Sequence, residues 1–270
     1  MSVINNNVSA LSAQNALRTN ARSMSTSMEQ LSTGSRVNSA KDDAAGLAIG
    51  QNMTSQVRGL NMAVRNINDG VNMMQTAEGA MIEQSNMLQR MRELAVQSAN
   101  GTVSDTQRSY LDTEFQALTS QIGNIASQTT WNGTDLMSST TTFSFQAGAS
   151  SGQTISVAIT EMSTSSLGIS SSSISSASVA ATAIATLDTA LNSINSQRAT
   201  IGAGINQMTY AADNMSNIAA NATASRSSIM DTDYATASTN LAKNQIIQQA
   251  ATAMLAQANQ QPQSVLSLLK

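Results

Sequence analysis

From Leu187 to Ile229 the chain repeats apolar or small residues at steps of four and three. The series is Leu187, Leu191, Ile194, Ile201, Ile205, Met208, Ala212, Met215, Ala219, Ala222 and Ile229, interrupted only by Arg198 and Arg226. A 3.5-residue period held this long specifies an α-helix packed lengthwise on other helices. Its partner has the same spacing, running Met53, Val57, Leu60, Val64, Ile67, Val71 and Met74 without a miss. Beyond it, Glu78, Ser85 and Arg92 enter the stripe beside Met81, Leu88 and Ala95, while Met87, Met91 and Leu94 form a neighbouring stripe. The spacing predicts one helix from about Asp42 to about Asn100, roughly 85–90 Å long, whose buried face shifts along its length. Gly46, Gly50, Gly59, Gly70 and Gly79 weaken it and read as points of close packing. The Met and Leu stripes read as packed core rather than ligand contacts.

Between the long helices the pattern changes. Asn100-Gly101 is a stop, and Ser104 with Gln107 forms a capping box for a helix carrying Leu111, Phe115, Leu118, Ile122 and Ile125. Trp131-Asn132-Gly133-Thr134 holds a strong turn dipeptide. Phe143 and Phe145, then Ile155, Val157 and Ile159, alternate with polar residues across the loop from Gln146 to Thr154, which predicts a small β-hairpin lying on the helices. Ser163 to Ser178 reads as an exposed connection. A last helix starts near Asp231 or Asp233 and is expected to end before Pro262, the only proline.

Both ends are patterned too, where order usually fades. Leu17, Ala21, Met24, Met28 and Leu31 share a face, as do Ile247, Ala250, Ala251, Met254, Leu255 and Ala258. The expected fold class is mainly α: an elongated coiled-coil-like helical bundle with a small β-hairpin region at one tip and paired terminal helices at the other. The expected domains are 1–42 plus 231–270 for the terminal helices and 43–230 for the rod, with its hairpin at about 129–178.

Charged residues make up 11% of the chain, against about 25% in ordinary soluble domains. A weakly charged polar surface suits packing against copies of itself. The net charge of −3 argues against nucleic acid, and no basic run suggests an anionic membrane. Absence of Cys removes disulfides and thiolate chemistry, and absence of His removes the commonest general base. Neither a Sec-type signal nor a bilayer-spanning stretch is evident, so no membrane insertion is expected. Asp42-Asp43, the nearest approach to a carboxylate cluster, reads as a helix start. No enzyme activity, cofactor or metal is expected.

Several runs closely resemble bacterial flagellin. They are Ile4-Asn5-Asn6-Asn7, Leu11-Ser12-Ala13-Gln14, Leu31-Ser32-Thr33-Gly34, Ser39 to Ile49, Gln89 to Gln97, Asp233-Tyr234-Ala235, Leu255 to Gln260 and Val265 to Leu269. Departures fall at Ser35, Met230 to Thr232, Ala237-Ser238 and Lys270. The resemblance implies an extracellular filament subunit for swimming motility, whose terminal helices form an inner tube, here without the family's variable outer domains. It implies a homopolymer, with hook-filament junction proteins, a filament cap, an export chaperone and the flagellar type III export apparatus as partners. It also implies recognition by host Toll-like receptor 5 at Arg90, Leu94 and Glu114; the bland alternative for Arg90 and Glu114 is a solvated pair. The alternative function is another helical flagellar or type III secretion structural protein, such as a junction protein.

Assembly is expected to bury Leu17, Met24, Met28, Leu31, Ile247, Met254 and Leu255 among neighbouring copies. Met1 to about Asn38 and Asp231 to Lys270 are expected to be largely disordered in the free chain, since short isolated helices are marginal in water. Ser138 to Thr142 and Ser163 to Ser178 read as unmodified polar loops or as sites for O-linked sugars, and four short matches to the N-glycosylation pattern carry little weight.

Overall fold

The computed structural model describes residues 6–267. Ile4-Asn5 and Leu268-Leu269, parts of two motifs above, and the departure at Lys270 lie outside the described residues. The described chain is mainly α, with five helices: α1 (Val8–Thr33), α2 (Ala44–Ala99), α3 (Asp105–Gln128), α4 (Ala177–Met230) and α5 (Tyr234–Ser267). Two antiparallel pairs lie between α3 and α4: β1 (Thr130–Trp131) with β2 (Thr134–Asp135), and β3 (Thr141–Gln146) with β4 (Thr154–Ile159). The chain divides into two compact units, one of residues 1–55 and 221–270, the other of residues 56–220.

The unit of residues 56–220 holds the core. On α4 the buried positions from Ala180 to Met208 are Ala180, Ala183, Leu187, Ala190, Ile194, Gln197, Ile201, Gly204 and Met208, an unbroken heptad series, and Ala219 is buried further along. Half of the expected stripe therefore lies beside the seam: Leu191 and Ile205 are only half-buried, while Ala190, Gln197 and Gly204 take the tightest places. Glycine wins at 204 because β4 comes close, and Gln197 is taken in because its amide donates to the Ala158 carbonyl at 2.7 Å. A Cβ on Gly204 would stand 2.7 Å from Val157, and one on Gly70 of α2 would stand 2.8 Å from the Phe145 ring. Gly79, by contrast, faces open space and makes no close packing. The two charged residues in the α2 stripe meet charges on α4: Glu78 lies 3.8 Å from Arg198, and Arg92 2.7 Å from Asp188. Full burial of each large apolar side chain, Phe115, Ile67 and Leu88 among them, is worth about 1.5–3 kcal/mol.

Both hairpins sit where the sequence puts them. Asn132 and Gly133 have φ of 48° and 78°, the mirror-image turn that suits a two-residue loop. Phe143 faces Val157 and Phe145 faces Ile155 across the longer pair. That pair lies along the flanks of α2 and α4, at Gly59, Gly70 and Gly204, since its one apolar face needs helix to cover it. The turn from α2 to α3 is closed by the buried Arg108, which donates to the carbonyls of Asn100 and Val103, each at 2.9 Å.

Two readings need correction. Ser163 to Ser178 is not simply an exposed connection: Leu167, Ile169 and Ile174 are buried in the core. Asp112 accepts from the Ile174 N–H at 2.8 Å and the Ser173 hydroxyl at 3.0 Å, so apolar anchors and a carboxylate hold the Ser-rich stretch down. The last helix does not stop before Pro262; α5 continues to Ser267.

Candidate self-assembly surface

The terminal helices have defined ends. The Asn7 side-chain oxygen accepts from the Ala10 N–H at 3.0 Å and starts α1. Gly34, at φ 70°, ends it, with its N–H bonded to the Gln30 carbonyl. Asp233 starts α5, accepting from the Ala235 N–H at 2.9 Å and the Thr236 hydroxyl at 2.7 Å. These bonds to the charged form hold the Asp233 carboxyl below its ordinary pKa, the Thr236 hydroxyl contributing most. Ahead of α2, the Ser39 hydroxyl does the same for Asp42, and Asp43 accepts from the Gly46 N–H at 2.8 Å. The connecting segments pair as a two-stranded bridge at Ser35 and Asp231, where the Arg36 N–H reaches the Met230 carbonyl and the Thr232 N–H the Gly34 carbonyl.

Beyond the bridge α1 and α5 run antiparallel. The covered positions of α1 include Ala10, Ala13, Leu17, Asn20, Met24, Ser27 and Leu31; those of α5 up to residue 260 are Ala237, Leu241, Asn244, Gln248, Ala251, Leu255 and Ala258. Both series step by three and four, so this is a coiled-coil seam, but one made largely of Asn, Ser, Gln and Ala. The residues buried in α1 are Asn20 and Ser27. Asn20 donates its side-chain amide to the Asn244 carbonyl at 2.8 Å. Asn7 donates to the Ala258 carbonyl at 2.7 Å. That second bond explains how α5 passes through proline. Pro262 has no N–H, which leaves the Ala258 carbonyl four residues earlier without its ladder donor, and the Asn7 amide takes that place.

The expected assembly residues are divided by this seam. Leu17, Met24, Leu31 and Leu255 are half-buried within it. Met28 is 56% exposed, Ile247 39% and Met254 67%, all three outside it. Val8, Leu11 and Ile246, which the spacing did not single out, are also exposed. Their common signal was a large apolar side chain off the main stripe. The only charged side chain in α5 is Lys243.

The expected receptor residues lie in the other unit. Arg90 on α2 donates to Glu114 on α3 at 2.9 Å and to Glu93 at 3.1 Å, and all three side chains are exposed. The Glu114 bond, then the Glu93 bond, push the guanidinium pKa up. Leu94 is buried, 1% exposed, so it packs beneath this surface rather than forming part of it.

Residues 4–142 match the bacterial flagellin N-terminal helical region, and residues 184–269 match the bacterial flagellin C-terminal helical region. The chain belongs to the bacterial flagellins. Flagellin of Bacillus subtilis (strain 168) is 40% identical over 302 residues, covering 99% of each chain. The flagellin of Halalkalibacterium halodurans is 40% identical over 271 residues, covering 99% of this chain and all of the relative. The flagellar filament 33 kDa core protein of Treponema phagedenis is 40% identical over 285 residues, with the same coverage. As a flagellin, the chain is a structural subunit of a flagellar filament and polymerises with other flagellin subunits. Among the described residues no helix is long and apolar enough to cross a membrane.

Proposed function

We propose that the filament is held together through the terminal helices, by burial among neighbouring copies of the apolar side chains left outside the α1–α5 seam. The observation that carries this reading is a 34-residue helix with one charge, whose Ile246 and Met254 stand 66% and 67% exposed. Burying a side chain of that size is worth about 1.5–3 kcal/mol, and a polymer repeats the gain at every subunit. On this reading residues 1–42 and 231–270 form the inner layer and residues 43–230 the surrounding rod. The test is the full chain carrying Ile247→Asp and Met254→Asp. Circular dichroism should show unchanged helix in the core unit, while electron microscopy and sedimentation show loss of filaments; normal filaments would refute the reading.

The filament is then an extracellular propeller. Its subunit leaves the cell by the flagellar type III apparatus with an export chaperone, meets junction proteins at the base and adds beneath a cap at the tip. These partners are the ones that the resemblance implies. Export also favours terminal helices that order only on assembly.

A second reading concerns the exposed Arg90–Glu114 pair. Arg90 presents a flat guanidinium already oriented by two carboxylates, the kind of group that anchors an interface. Host Toll-like receptor 5 is the partner that the resemblance implies, with Leu94 supporting the helix from below. Arg90→Ala and Glu114→Ala proteins in a receptor reporter assay should each lose at least tenfold in potency; an unchanged response removes the site.

A further inference from the structure

The thioethers of this chain are unevenly placed. Met74, Met81, Met91, Met137 and Met208 are wholly buried in the core. The two most exposed methionines among the described residues are Met254 and Met28, at 67% and 56%, and both belong to the terminal helices outside their seam. Met62 is exposed to 46%, but its sulfur lies 2.6 Å from the Arg65 guanidinium, which engages a sulfur lone pair. With no Cys in the chain, no thiol competes for an electrophilic oxygen. A thioether is then the softest nucleophile on the surface.

We propose that Met28 and Met254 are sites of reversible oxidation to methionine sulfoxide, and that this modification blocks polymerisation of the free chain. The oxidant is of the peroxide class. A sulfur lone pair attacks one peroxide oxygen, the O–O bond breaks and an S–O bond forms. Two electrons pass from sulfur to hydrogen peroxide; one of its oxygens stays on sulfur and the other, after proton transfer, leaves as water. Thiol-dependent sulfoxide reductases reverse the step, releasing the oxygen as water while two thiols become a disulfide. The product replaces a flexible apolar side chain with a polar one, whose burial without a donor is unfavourable. The inference rests on the assembly reading above: a contact that excludes water from Met254 will not accept a sulfoxide. Once the subunit is in the filament, the same contact shields the sulfur, so the vulnerable form is the unassembled chain.

The experiment treats the full-length free chain with limiting hydrogen peroxide, maps oxidised peptides by mass spectrometry and then seeds polymerisation. Met254 and Met28 should each gain one oxygen several-fold faster than Met62, and filament yield should fall at least tenfold. The Met28→Leu, Met254→Leu double variant, which keeps the apolar volume, should polymerise within about twofold of its untreated level. Met62 oxidising first, oxidised wild-type chain polymerising normally, or the Leu variant losing yield as the wild type does, would each overturn the proposal. Filaments formed by untreated Ile247→Asp, Met254→Asp chain refute instead the assembly reading, whatever peroxide does.

Discussion

At the scale of single residues, Asn7 has two duties that no periodicity announces. Its oxygen caps α1 and its nitrogen reaches the carbonyl that Pro262 leaves unmet in α5. Asn7→Ala should cost about 1 kcal/mol for the lost cap and roughly a further 1 kcal/mol for the part-buried Ala258 carbonyl left without its donor. In a Pro262→Ala background the ladder donor returns, and only the cap term should remain. A double-mutant cycle on filament stability against denaturant measures the difference, and a coupling near 1 kcal/mol is expected. Reading Pro262 as a stop was sound local chemistry. It failed because the compensating donor is far away in sequence.

At the scale of elements, most of the fold was legible. Both long helices, the capping box at Ser104 and the hairpin with Phe143 and Phe145 stand where the spacing put them. What spacing did not give was the choice among adjacent stripes. On α4 it favoured Leu191 and Ile205 over Ala190 and Gly204, because large residues dominate a pattern whereas close approach selects small ones. The terminal helices show the same effect, with a seam in which Asn, Ser, Gln and Ala outnumber the Leu and Met residues and with Met28 and Met254 outside it. Such a seam buries little apolar surface, so α1 and α5 should exchange amide hydrogens at least a hundredfold faster in the free chain than in the filament, whereas α2 residues near Leu88 change little. Hydrogen exchange followed by mass spectrometry checks both halves. Acid should act at the start of α5. The folded-state pKa of Asp233 is depressed, so its contribution is fully present above the ordinary aspartate value of 3.8 and is lost as pH falls through the lower folded value. The Ala235 and Thr236 amides should lose protection only in that acid window, and Asp233→Asn should remove the dependence.

At the scale of the whole molecule, the two compact units differ in what holds them. The unit of residues 56–220 has a continuous apolar core containing Phe115, Leu136, Ile169 and Ile194. The unit built from the two ends has little more than its seam, its caps and the Ser35–Asp231 bridge. Limited proteolysis of the free chain should therefore trim α1 and α5 first and leave a resistant helical fragment that includes residues 56–220. Removing Ile247 to Lys270 by truncation should likewise preserve that core but abolish filaments. Cleavage inside α2 near Leu88 before any cut in α5 would contradict the division.

The contact between Asn7 and Ala258 also joins positions 251 residues apart. A polypeptide that stops short of Ala258 lacks the carbonyl that the Asn7 amide meets, and its first helix loses part of its mate. On the assembly reading proposed above, the polymer therefore rejects chains cut short of Ala258, because the pairing of the ends depends on a contact made there.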